Sequence, residues 1–134
     1  MSIHRAVQVS LTLAVCLMPA ALPADDSQGK AAYLRYCSAC HGPGGKGDGV
    51  VAHLMTPKPT DLTTIAKQNK GEFSADQVAK TIDGRTTFRA HGEPNMPVWG
   101  EILDEEAAEA GEPPAQIRKK VRLITEYLKS TQVK

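Results

Sequence analysis

Cys37-Ser38-Ala39-Cys40-His41 sets two thiols three residues apart, with an imidazole directly after the second. On a helical turn such thiols lie near one face. Each can add to a vinyl group of a haem while the adjacent imidazole reaches the iron, and the spacing is the c-type haem attachment pattern. Other uses of the pair fit less well. A thioredoxin-like dithiol wants a preceding strand and a βαβ setting, and no convincing alternating strand occurs in the chain. A structural zinc site needs about four ligands, and no second cysteine pair exists. A disulfide is the ordinary fate of paired cysteines in an exported protein. It explains the thiols but neither the histidine nor the glycine run that follows.

An iron held by His41 has a sixth position to fill. Met55, Met96, His53 and His91 are the candidates. Met96 lies in Asn95-Met96-Pro97-Val98-Trp99-Gly100, 55 residues beyond His41, where proline stiffens a loop suited to presenting a thioether. Met55 and His53 follow His41 closely and read as wall or surface residues. His91, five residues before Met96, is the competitor. With His41 and Met96 both bound, the iron keeps no open site for substrate or oxygen. That points to electron transfer and not to ligand activation. The alternative is a haem-based ligand-binding or sensor protein with a labile sixth ligand.

Helices must position these groups. Ser27 to Cys40 reads as a first helix capped by Ser27. It ends in Gly42 to Gly49, a run no helix or strand survives. A phosphate loop would need a strand before that run and a helix after it. A short helix fits Val50 to Leu54, and Pro57 and Pro59 enforce an extended stretch. Ser74 and Gln77 form a capping-box pattern before Val78 and Ile82, with Gly84 as the stop. Arg85 to Pro97 reads as a loop. Trp99 to Leu103 starts a helix, and Asp104 to Glu112 is a solvated helix end or surface excursion. Ala115 to Ser130 closes the chain, with Ile117, Val121, Ile124 and Leu128 in one apolar stripe. Its Arg118, Lys119, Lys120 and Arg122 read as an ordinary solvated face with local ion pairs. The expectation is an all-α domain of three to five helices with long loops.

The amino terminus shortens the working chain. Arg5 precedes an uncharged stretch from Ala6 to Ala24, small and proline-containing toward its end, and Asp25 and Asp26 follow. That is the layout of a cleaved signal peptide, so residues 1–24 are expected to leave and 25–134 to form the domain. Polar residues and prolines weaken the stretch as a membrane anchor, and no stable membrane span is expected after cleavage. Cys16 departs with the signal. Losing Arg5 from a formal charge of +1 leaves a neutral remainder. A neutral domain has no electrostatic case for nucleic acid. The six aromatics among 134 residues promise a thin core, which a large bound apolar group would fill. No acid–base pair or nucleophile constellation supports an independent enzyme.

These motifs resemble the class I, monohaem c-type cytochromes of the bacterial periplasm. The likeness covers Gly29 to Leu128. It implies a cytochrome c-like fold wrapped around one covalent haem c, attached at Cys37 and Cys40. It makes His41 the proximal iron ligand and Met96 the distal one. Gly29 and Tyr33 match the small and aromatic positions of the family's first helix, and Tyr127 the aromatic of its last, where the two helices cross. Pro57 or Pro59 matches the proline whose carbonyl accepts a hydrogen bond from the proximal histidine. The acidic stretch Asp104 to Glu112 departs from the compact members. The implied role is a one-electron carrier, free or as a subunit of a respiratory or dehydrogenase system, with redox proteins as donor and acceptor.

Overall fold

The computed structural model describes residues 24–84 and 96–133. Its helices are α1 (Ala24–Tyr36), α2 (Ser38–His41), α3 (Ile65–Gln68), α4 (Ala75–Asp83), α5 (Trp99–Glu109) and α6 (Pro114–Ser130), with single 3-10 turns at Ala52–Leu54 and Leu62–Thr64. No strand occurs among the described residues, so the all-α expectation holds. Two segments come from one expected helix, which breaks at Cys37. The turn at Ile65 had no periodic signal. Residues 1–23 of the expected signal sequence, with Cys16, and His91 with most of the loop Arg85 to Pro97 lie outside the described residues.

Helix α6 is the spine. Proline at its first turn gives up an N–H that no helix could use, and Pro113 in extended conformation leads in. Its stripe Ile117, Val121, Ile124 and Leu128 is buried as a unit. Helix α1 crosses it at Gly29, where an added Cβ would run into the Leu123 carbonyl oxygen and the Tyr127 side chain. Only a hydrogen at that position lets the backbones come this close. Beside the crossing, the Tyr33 and Tyr127 rings sit 5.2 Å apart. Tyr33 is buried and donates from its hydroxyl to the Gly42 carbonyl at 2.6 Å. Val78 and Ile82 of α4 and Leu103 and Ala107 of α5 complete the core.

Two expected caps do not form. Helix α1 already includes Ala24, the first described residue, which puts Ser27 inside it and not at its end. Ser74 starts α4 through its backbone carbonyl, accepting from the Val78 amide at 3.0 Å, and its hydroxyl makes no cap bond. Gly84 does end α4, in the left-handed conformation (φ 71°), with its amide on the Lys80 carbonyl. The acidic stretch is mostly helix. Helix α5 runs through it to Glu109, burying Leu103 and Ala107 and turning its acids outward or toward α1.

Candidate functional site

The end of α1 delivers Cys37, and α2 carries Cys40 and His41 one turn further. The Cys37 carbonyl accepts from both the Cys40 and His41 amides, at 3.3 and 2.9 Å. The glycine loop then folds back along α2. Gly47 donates to the His41 carbonyl, Gly49 to that of Cys40 and Val51 to that of Ala39, at 2.9, 3.1 and 3.1 Å. These amides satisfy carbonyls that the short helix leaves open, so they are not arrayed for a phosphate. The loop needs glycine for steric reasons. A Cβ at Gly49 would strike the Ala39 and Cys40 carbonyl oxygens, and one at Gly47 (φ 74°) would strike that of Pro59.

That last approach presses the extended stretch after Pro57 against His41. The His41 Nδ1 lies 2.9 Å from the Thr60 carbonyl oxygen. A carbonyl only accepts, so Nδ1 carries the proton and the ring lone pair lies on Nε2. The acceptor expected at Pro57 or Pro59 is therefore Thr60. The prolines stiffen the approach, and the residue after them presents the oxygen. Asp61 closes the turn that follows, accepting from the Thr63 hydroxyl at 2.6 Å and the Thr63 amide at 2.9 Å. Those two bonds hold its carboxyl below the usual range.

Cys37, Cys40, His41 and Met96 line one cavity of about 330 Å³. Helix α4 contributes Val78 and Ile82 to its walls, and α6 contributes Ile124 and Leu128. Leu62, Ile65, Tyr36 and Trp99 fill in between, and Gln68, Asn69, Gln77 and Thr81 supply the polar lining. Gln77 thus faces the cavity instead of completing a capping box. Met55 is a further wall residue, and His53 is exposed and outside the lining. Cys37 and Cys40 are not joined in a disulfide. Burial, then the neighbouring Cys40, pushes the Cys37 thiol up to about 12. A redox dithiol needs the opposite shift. Among the described residues no group of three or more His, Cys, Asp or Glu side chains could hold a metal ion. Two thiols and an imidazole on one edge of an apolar slot suit a large, flat, covalently tethered group.

Residues 24–111 match the family model described as cytochrome c oxidase, cbb3-type, subunit III. The chain belongs to this cytochrome family. No curated protein and no solved structure matches it. The cytochrome is a class I, monohaem c-type protein that carries covalent haem c and transfers electrons with redox partners. None of its described helices is long and apolar enough to cross a membrane.

One part of the cytochrome's site has no sequence signature. Tyr36, on the cavity wall, packs edge-on against Trp99 with centroids 5.7 Å apart. Its hydroxyl donates to Glu106 Oε2 at 2.6 Å, and Arg35 donates to Glu106 Oε1 at 3.0 Å. Glu106 thus ties α5 to α1 beside the cavity. Burial and that carboxylate push the Tyr36 phenol up to about 12, while the Tyr36 bond and then Arg35 hold Glu106 below its ordinary range. The sequence marks Glu106 only as one of several acids, since nothing local pairs positions 36 and 106. On α6, Lys120 pairs with Glu112 at 3.4 Å, in line with a face of local ion pairs.

Proposed function

We propose that Cys37 and Cys40 attach the haem, that His41 is the proximal iron ligand, and that Met96 is the distal one. The observation that carries this is the convergence of all four side chains on a single cavity, though Met96 stands 55 residues from His41. When bound, the haem supplies reversible one-electron exchange at its iron. The chain's residues do the rest. Thr60 orients the His41 ring and fixes its tautomer. Val78, Ile82, Ile124 and Leu128 exclude water from the slot, and the thioether of Met96 favours the reduced state.

The cytochrome is an exported, periplasmic electron carrier whose signal peptide covers residues 1–24, leaving 25–134 as the cytochrome domain. The family's description as an oxidase subunit favours service as an electron-transfer subunit of a respiratory complex. Co-purification with a larger oxidoreductase separates that from a free shuttle. The ligand assignment is tested on the exported holoprotein. It should give a c-type pyridine haemochrome, and Met96→Ala should lose the methionine-to-iron charge-transfer band. An unchanged band in that variant removes Met96 from the iron.

A further inference from the structure

The Thr60 carbonyl aims His41, yet Thr60 lies in an extended stretch that no helix holds. Part of what fixes it comes from the opposite end of the chain. Gln132, just beyond α6, uses both donors and one acceptor position of its amide. Its Nε2 donates to the Leu128 and Leu62 carbonyls, each at 2.8 Å, and its Oε1 accepts from the Ala66 amide at 2.9 Å. One residue on, the Val133 amide donates to the Thr63 carbonyl at 2.9 Å. Residues 62–66 are stapled in this way to the end of α6. The same segment sets Leu62 and Ile65 in the cavity wall and continues into Thr60 through the Asp61 turn. Its other anchor is the Leu62 amide on the Gly45 carbonyl at 2.6 Å, within the loop that follows His41.

The geometry points to Gln132 as a positioning residue for electron transfer. Through Leu62 and Ala66 it sets how firmly Thr60 holds the His41 Nδ1 proton, and so the basicity of the axial imidazole. The role rests on His41 being the proximal ligand. A firm bond from Nδ1–H to a carbonyl makes the ring a stronger donor, which favours ferric iron and lowers the reduction potential. A slack Thr60 raises it. The amide is chemically specific here. Leucine fills the space but leaves two carbonyls and an amide without this partner, and a carboxylate keeps the Ala66 bond while facing two carbonyl oxygens.

The test uses holoprotein carrying Gln132→Leu, Gln132→Glu or Ile117→Val. Ile117 is buried on α6 and does not line the cavity, so its variant reports plain destabilisation. The readouts are the midpoint potential and the solvent exchange of the His41 Nδ1 proton, followed by NMR in the reduced state. Gln132→Leu should shift the potential positive, and both Gln132 variants should speed the exchange roughly tenfold, the scale of one or two lost local hydrogen bonds. The charge added by Gln132→Glu opposes the potential shift, so that variant is read by exchange. Ile117→Val should lower the unfolding midpoint and move neither. The role of Gln132 is refuted if its variants behave like Ile117→Val. Should Gln132→Leu fail to load haem, the exchange rate in Gln132→Glu decides alone. A wild-type His41 Nδ1 proton without a haem ring-current shift would instead overturn His41 ligation, and the staple's role with it.

Discussion

Gly29→Ala sets two effects of opposite sign against each other. Glycine inside a helix costs about 1 kcal/mol relative to alanine, so propensity alone makes the variant more stable. Against that, the new methyl would meet the Leu123 carbonyl oxygen well inside contact distance, with Tyr127 Cβ at 3.0 Å and the Leu123 carbonyl carbon at 3.1 Å. The obstacle is mostly α6 backbone, which cannot swing aside as a side-chain tip can. Overpacking of this kind costs about 1–3 kcal/mol and sometimes more, and a backbone obstacle belongs at the upper end. The clash therefore wins by about 1–2 kcal/mol, a fall of about 5–15 °C in Tm for a domain near 100 residues. Gly44→Ala is the control, since a Cβ there meets nothing within 4 Å. It should leave stability within about 0.5 kcal/mol. Guanidinium unfolding of the holoprotein, followed by circular dichroism, measures both. A Gly29→Ala protein as stable as the parent, or more so, would refute the close crossing of α1 and α6.

The tie at Glu106 should show in the acid limb of stability. Its carboxyl is held low in the folded chain by Tyr36 and then Arg35, so its contribution is complete above the unfolded carboxylate range and is lost as pH falls through the lower folded value. Glu106→Gln should therefore cost about 1 kcal/mol at neutral pH, discounted for its partial exposure; the difference from wild type should vanish in acid, and one that stays constant with pH would show that charge is not involved. Chain lacking haem should fold poorly. A cavity of about 330 Å³ at about 24 cal/mol per Å³ amounts to at most about 8 kcal/mol, comparable with the whole stability of a small domain. Cooperative thermal unfolding of haem-free protein near the holoprotein's Tm would contradict this.

The attachment motif and the last helix were legible because their signals are local. Cys37, Cys40 and His41 fall within five residues, and the stripe on α6 repeats with the helix period. Gly29 was legible only through the resemblance, since it carries no periodic signal of its own, whereas Tyr127, three residues after Ile124, widens the stripe on α6. The Thr60 acceptor was misplaced by one or three residues. The prolines are visible, but which carbonyl meets Nδ1 depends on how Gly47 lets Pro59 approach. Ser74 and Gln77 matched a capping box, and Gln77 lines the cavity instead, since nothing local in the pattern tells a cap partner from a wall residue. Glu106 and Gln132 were invisible. Each acts on residues about 70 positions away, and an acid in an acidic stretch or a glutamine near a terminus carries no sign of such a partner.

Those long-range contacts follow from how the site is built. The groups proposed to hold and orient the haem sit on a four-residue helix, an extended stretch and a loop, and none of these is stable alone. The strong elements, α1, α4 and α6, supply apolar wall instead. Ligand geometry must then be borrowed from them through fasteners outside the slot. Gly29 brings α1 against α6, Glu106 brings α5 to the turn of α1 before Cys37, and Gln132 ties the segment after Thr60 to the end of α6. None of the three lines the cavity. A substitution at any of them leaves every proposed haem contact chemically intact and alters only how firmly it is held. Variation in the potential at constant ligands should therefore track these fasteners more closely than the apolar wall, where a lost methyl mainly costs stability.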